Sequence, residues 1–204
     1  MSNTVFIVDD DASVRDSLSL LLGLRGYRTI LFADAESFLG AYRSDWRGCV
    51  LLDLRMQGMD GLALQRTLRE RGVTLPVIIV TGHGDVRSAR EAFRQFAVDF
   101  LEKPVDERHL VAAIEEAFAQ QSAELKHLQQ TQDFLARMAT LTPREKEVLQ
   151  WVIAGRHNRE IAEILDISVR TVEVHKARMM SKLDASSIPQ LMRMSLGTLE
   201  HRER

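Results

Sequence analysis

The sequence predicts two domains: a doubly wound α/β domain with a parallel sheet over residues 1–119, and a small all-helical domain over residues 141–204. Three observations predict this. Five short apolar runs alternate with five helix-period segments in the first part of the chain. No β pattern appears after residue 140. A new folding unit opens at Thr142-Pro143-Arg144-Glu145, where Thr suits an N-cap, Pro the first helical position and Glu the third residue of a capping box.

The elements follow in order. Residues 4–8 form a β-branched apolar run that ends at Asp9-Asp10-Asp11, and Asp11 is placed to cap the next helix. That helix carries Val14, Leu18, Leu21 and Leu22 at helical spacing and stops near Gly23 and Gly26. Further strands are expected at 27–31, 49–53, 76–80 and 98–102, with helices at about 35–43, 61–71, 86–96 and from 106 onward. Between Asp106 and Pro143 the chain contains neither Gly nor Pro. Ile114, Phe118, Gln121, Leu125, Leu128, Gln132, Leu135 and Ala139 fall on one stripe there. They predict a long helix with a linker at 120–140, about 50 Å in all at ~1.5 Å per residue. Two glutamines on the stripe leave two readings open, pairing between chains or a solvated connector. Helices at about 143–154, 158–165, 169–183 and 187–195 complete the second domain, with Ser168 capping the third.

Composition narrows the function classes. The 204 residues are 45% hydrophobic and 27% charged, ordinary values for a globular protein. No apolar run approaches the ~20 residues of a membrane-spanning helix, and no secretory signal precedes the first strand. The lone Cys49 sits inside an apolar run and reads as a reduced core residue, which fits the cytoplasm. Residues 1–139 hold 16 basic and 20 acidic side chains, whereas residues 140–204 hold 11 and 9. The second part is therefore mildly positive, which permits nucleic-acid binding without establishing it.

The chemistry lies at the strand ends. Open parallel sheets bind ligands beyond the carboxyl ends of their strands. Asp9 and Asp10 follow the first strand, Asp53 ends the third, Thr81 the fourth, and Lys103 follows the fifth. Singly, each has a plain structural explanation as a cap or a turn. Together they bring three carboxylates, a hydroxyl and an ammonium to one mouth. Clustered carboxylates repel and need a cation, and all-oxygen ligation points to Mg²⁺. A carboxylate can attack a phosphoryl group while the metal and Lys103 neutralise charge on its oxygens. Asp53, on the central strand, is the expected nucleophile.

Val8-Asp9-Asp10-Asp11, Leu52-Asp53-Leu54-Arg55-Met56, Val80-Thr81-Gly82-His83-Gly84 and Phe100-Leu101-Glu102-Lys103-Pro104 resemble the receiver domains of FixJ-type response regulators. The resemblance covers residues 1–119. It implies a flavodoxin-like sheet of order 2-1-3-4-5 and phosphorylation of Asp53 by the phosphohistidine of a sensor histidine kinase. It also implies Mg²⁺ held by Asp9, Asp10, Asp53 and the Arg55 backbone carbonyl, a Thr81–Phe100 switch pair, and a cis Lys103–Pro104 bond. Two departures stand out: Gln57 replaces the usual Pro after Met56, and Phe96 replaces a small residue, often Gly, before Ala97.

In the second domain, residues 158–165, a turn at Asp166-Ile167-Ser168 and residues 169–183 make a helix-turn-helix, a weak pattern alone. Leu141-Thr142-Pro143-Arg144-Glu145, Asn158-Arg159-Glu160-Ile161-Ala162 and Thr171-Val172-Glu173-Val174-His175-Lys176 resemble the LuxR/FixJ/NarL class of DNA-binding domains. Val169, Val172, Met179 and Leu183 are expected to face the core. Glu173, Val174, Lys176 and Ala177 are the candidates for base edges, and Arg170, Thr171, Arg178 and Lys182 for phosphates. His175 has no partner at ligand spacing and reads as structural.

The resemblance thus implies a transcriptional regulator, not an enzyme beyond its own phosphoryl transfer and dephosphorylation. Its partners would be a sensor kinase, double-stranded DNA and a second copy of itself. A tail that binds protein instead of DNA, or a flavodoxin-like enzyme, would be separated from it by Mg²⁺-dependent phosphorylation together with operator binding.

Overall fold

The structure is a computed structural model that describes residues 3–82 and 86–199, the last four as backbone only. His83 and Gly84 of the fourth-strand motif lie outside the described residues. The chain divides into two compact units, Met1–Leu125 and Lys126–Arg204.

In the first unit, strands β1 (Thr4–Val8), β2 (Arg28–Phe32), β3 (Gly48–Leu52), β4 (Val77–Thr81) and β5 (Asp99–Glu102) alternate with helices α1 (Ala12–Leu24), α2 (Ala35–Ala41), α3 (Gly61–Glu70), α4 (Val86–Arg94) and α5 (Glu107–Ala139). All strand pairs are parallel, in the order β2-β1-β3-β4-β5. This is the expected order, and every strand lies within one residue of its expected span at either end.

The strands read as unbroken apolar runs because both faces of the sheet are covered. Side chains alternate between two cores. Phe6, Val8, Val50, Leu52 and Ile79 pack with Phe38, Leu64 and Leu68, residues of α2 and α3. Val5, Ile7, Cys49, Leu51, Ile78 and Val80 pack with Leu18, Leu22, Leu110 and Ile114 of α1 and α5. Cys49 is fully buried, and that burial raises its thiol pKa well above the ordinary value, so it stays protonated. Asp11, Asp34 and Asp60 accept backbone N–H bonds as the N-caps of α1, α2 and α3.

Phe96, the unusual residue before Ala97, lies just past α4 with φ of 65°. This is the left-handed position that commonly ends a helix and that glycine occupies without steric cost. A phenylalanine there is 67% exposed, and its ring lies 4.7 Å from the Arg69 guanidinium carbon. That stacking offsets part of the backbone strain.

The second unit holds the end of α5 with α6 (Pro143–Ile153), α7 (Asn158–Leu165), α8 (Val169–Leu183) and α9 (Ile188–Leu199). Its core joins Phe134, Val148, Leu149, Ile161, Val172, Met179, Leu183 and Leu191. The predicted capping box is formed: Thr142 Oγ1 accepts from Glu145 N at 3.3 Å, and Glu145 Oε2 accepts from Thr142 N at 2.8 Å.

Two expectations need correction. The α5 stripe holds only in its first part, where Ile114 and Gln121 are buried, but Gln132, Leu135 and Ala139 are exposed. Thr131 and Phe134 are buried instead. A single stripe presumes one partner along the whole helix, whereas the two parts of α5 contribute to separate cores, each taking its own apolar residues. Val169, expected in the core, is 38% exposed. As the first residue of α8, it faces an open groove beside the turn, with Ala162 and Ile167.

Candidate functional site

Every acidic residue expected at the mouth is delivered by a strand end. Asp9 and Asp10 follow β1, and Asp53 follows β3, its N–H donating to the Val8 carbonyl at 2.9 Å. That bond continues the β1–β3 ladder by one step, so the two acidic ends are held side by side. Carboxylate oxygens of Asp9, Asp10 and Asp53 lie within 4.8 Å of one another.

Lys103 enters from the opposite side. Its backbone N–H donates to the Thr81 carbonyl at 2.9 Å, and the Lys103–Pro104 bond is cis. The ammonium donates to Asp9 Oδ2 at 2.6 Å and lies 3.6 Å from Asp53 Oδ1. The second distance is an ion pair but too long for a hydrogen bond. Asp53 Oδ1 is consequently a buried oxygen with no donor. The Thr81 hydroxyl and the Leu54 backbone N–H are neighbours whose influence on the carboxylate is to lower its pKa. Thr81 is completely buried.

These contacts set the electrostatics. Burial is the largest influence on Asp53 and raises its pKa; the neighbouring Asp9 raises it further. Lys103, Thr81 and Leu54 pull the other way without reversing the direction. A carboxylate that is short of donors beside two more carboxylates has unmet demand for positive charge. The all-oxygen donor set fits a hard divalent cation such as Mg²⁺.

Arg55 lies in the loop after Asp53, anchored on either side by the buried Leu54 and Met56. Gln57, the residue in place of the usual Pro, donates its N–H to Asp10 Oδ2 at 3.3 Å. A proline has no N–H to make this contact. Phe100 is half-buried against the core that contains Ile79 and Leu52.

Two neighbours escaped the sequence reading. Arg15 donates to the Asp9 carbonyl at 2.7 Å. Gly61 packs so closely against Asp53 that a Cβ would stand 2.2 Å from the Asp53 carbonyl oxygen. The only sequence signal for Gly61 is its position after the N-cap Asp60, which does not reveal a close approach of backbone to backbone.

In the helical unit, α7, the turn and α8 form the expected helix-turn-helix. Asp166 takes the left-handed conformation at φ 50°, and Ser168 Oγ accepts from Thr171 N at 3.1 Å. Arg170, Glu173, Val174, Ala177 and Arg178 are exposed on α8, with Thr171 and Lys176 half-buried. Lys176 donates to Asn158 Oδ1 at 3.3 Å. Lys182 stands apart from this set. Its ammonium donates to the buried Glu145 at 2.7 Å and to the Thr140 carbonyl at 3.3 Å. Val172, Met179 and Leu183 turn into the core, as expected.

Comparison with known proteins agrees with both units. Residues 5–115 match the response regulator receiver domain, and residues 139–195 match the bacterial regulatory proteins of the luxR family. The transcriptional regulatory protein FixJ of Bradyrhizobium diazoefficiens is 44% identical over 192 residues, 94% of each chain. FixJ of Rhizobium meliloti is 45% identical over 195 residues, 95% of each chain. The transcriptional regulatory protein TdiR of Thauera aromatica is 42% identical over 200 residues, 98% of this chain and 88% of its own. Among solved structures, the response regulator StyR aligns with a TM-score of 0.81 at 36% identity, covering 96% of this chain and 98% of its own. Full-length FixJ from B. japonicum aligns with a TM-score of 0.60 at 42% identity, covering 97% and 98%. Both halves of the sequence are thus accounted for in the same order in each relative, and the chain belongs to the two-component response regulators that join a receiver domain to a LuxR-type DNA-binding domain.

Proposed function

We propose that Asp53 accepts a phosphoryl group from the phosphohistidine of a sensor kinase, and that this modification switches the DNA binding of the helical domain. The observation that carries the reading is Asp53 Oδ1, buried without a hydrogen-bond donor beside two further carboxylates and 3.6 Å from the Lys103 ammonium. An oxygen of Asp53 attacks phosphorus, the P–N bond to the kinase imidazole breaks, and the released nitrogen keeps the electron pair and takes up a proton. Asp9, Asp10, Asp53 and the Arg55 carbonyl would hold Mg²⁺, which supplies Lewis-acid neutralisation of the phosphoryl oxygens. Lys103 adds a fixed positive charge on the other side. Subsequent attack of water on the phosphorus would return Asp53 to its carboxylate, the receiver's own dephosphorylation.

The product carries about −1.5 to −2 charges in place of one. The Thr81 hydroxyl can donate to the new phosphoryl oxygens, and Phe100 would occupy space that Thr81 leaves. Inverting a 99:1 population this way requires about 5.5 kcal/mol of preference for the active state. Receivers in that state pair through the surface of α4, β5 and α5, and two helix-turn-helix modules then meet paired half-sites. In this division of labour, residues 1–119 are the phosphoacceptor, 120–140 a helical linker, and 141–204 the reader of double-stranded DNA. Glu173, Val174, Lys176 and Ala177 would meet base edges, and Arg170, Thr171 and Arg178 would meet phosphates. Lys182 joins them only by leaving Glu145. A cytoplasmic location accords with a reduced Cys49 and with partners of this kind.

The test is labelling with acetyl phosphate. The wild-type chain is expected to become phosphorylated with Mg²⁺ and to lose labelling when the metal is chelated. Asp53→Asn should take up no label under either condition. Label retained by Asp53→Asn would overturn the assignment.

A further inference from the structure

Within the helical unit, the last turns of α5 and the middle of α9 enclose a cleft of about 350 Å³. This lies in the size range of small-molecule sites and leaves room for about a dozen water-sized groups at ~30 Å³ each. Phe134 and Met194 give it apolar walls. Thr131 also lines it, is only 8% exposed, and has no hydrogen-bond partner for its hydroxyl among the described residues. A threonine hydroxyl can donate one hydrogen bond, and this one makes none within its helix, so it is available to a group in the cleft.

Among the described residues that line the cleft, Arg193 alone of the charged groups has no partner, His127 being one of those engaged. Arg137 binds the Asp184 carboxylate at 2.8 Å and the Leu183 carbonyl at 3.2 Å. Asp133 accepts from Gln129 Nε2 at 2.8 Å. Arg193 is exposed at the rim and has no ion-pair or hydrogen-bond partner among the described residues. One free guanidinium, one open hydroxyl and an apolar wall match one chemistry.

We propose that this cleft binds a small organic monoanion, a carboxylate with an apolar body. Its head meets Arg193 and accepts from Thr131, and its body lies against Phe134 and Met194. The Arg193 guanidinium favours one negative charge, and the Asp133 carboxylate on the same rim disfavours a second. A ligand so placed bridges α5 and α9, giving the helical unit an input independent of Asp53.

The test is titration of the full-length, isotopically labelled protein with benzoate, followed by amide chemical shifts, with benzyl alcohol and phthalate as neutral and doubly charged controls. Benzoate is expected to saturate, with shifts confined to the end of α5 and to α9, and to bind several-fold tighter than either control. Arg193→Ala, an exposed change that leaves the fold intact, should weaken it about tenfold or more, the scale of a lost charge-assisted bond. Thr131→Val, which keeps the side-chain shape, should weaken it several-fold. Absence of saturable benzoate shifts, equal binding of benzyl alcohol, or full affinity in Arg193→Ala overturns the proposal.

Discussion

At the scale of single residues, the role proposed for Asp53 rests on its being badly solvated. Its carboxylate is buried, lacks a donor on Oδ1 and sits beside Asp9, so ionisation is costly until positive charge arrives. Removing the charge should therefore relieve the metal-free receiver. Asp53→Asn is expected to be more stable than wild type without Mg²⁺, by about 1–3 kcal/mol for a relieved buried group. Mg²⁺ should stabilise the wild type and leave the variant nearly unchanged. Thermal melts with and without the metal decide this, and equal melting temperatures in its absence would count against the account. Gly61 offers a second reading of the same geometry. A Cβ there meets the Asp53 carbonyl at 2.2 Å and Leu54 Cα at 2.9 Å, both rigid backbone atoms. Gly61→Ala should slow phosphoryl uptake by about 10²-fold, the cost of roughly an ångström of misplacement at a nucleophile. Gly40→Ala in α2, where nothing lies within 4 Å, is the control and should leave uptake unchanged. The five polar residues at the strand ends were legible because their spacing follows the strand repeat. Gly61 was not, since its importance arises from a contact across the α3 entrance that no local pattern records.

At the scale of elements, the local signals carried furthest. Asp11, Thr142 and Ser168 cap helices as their neighbours in sequence predict, because an N-cap bond spans only two or three residues. Tertiary demands were harder to read. Val169 emerges on the surface because its position at the start of α8 precedes the first inward turn, and the α5 stripe changes residues where α5 changes cores. Phe96 shows the same limit, since a left-handed residue is invisible without the glycine that normally marks it. The α6–α8 junction gives a prediction of sign. Lys182 is the largest influence holding the buried Glu145 below its ordinary pKa of 4.5, and the Thr142 backbone N–H adds to it. A lowered pKa in the fold means that the pair's stabilisation is present above pH 4.5 and is lost as pH falls through the folded value. The helical unit should therefore weaken on acidification over that interval, and Glu145→Gln should flatten the profile, losing stability at neutral pH but less on acidification. Denaturant midpoints measured from pH 7 to pH 3 test it; parallel curves for the two proteins would refute the role of this pair.

At the scale of the whole molecule, the proposed phosphorylation of one unit has to become DNA affinity in the other. The helical region carries only a small formal excess of positive charge, so one copy has little purchase on DNA. Among the described residues, Arg170 and Arg178 are the α8 cations assigned to phosphates and have no carboxylate partner, whereas Lys176 donates to Asn158 and is assigned to base edges, and Lys182 is tied to Glu145. If each of the two neutralises one phosphate, a single copy should show a log–log salt slope of about −1.8, at ~0.9 per phosphate, and a pair about −3.6. Phosphorylation that acts by pairing receivers must therefore steepen the slope about twofold on the same operator, as well as tighten binding. A change confined to the helical unit itself would tighten binding at an unchanged slope. Measuring operator affinity from about 50 to 200 mM salt for phosphorylated wild type and for Asp53→Asn separates the two routes. Parallel slopes would show that the signal passes without pairing, and a flat slope in both would remove DNA from the account altogether. Half-sites moved apart by half a helical turn should abolish the steep slope and leave the shallow one, because two modules related by a two-fold axis reach the same face of the duplex only at whole turns of ~34–36 Å.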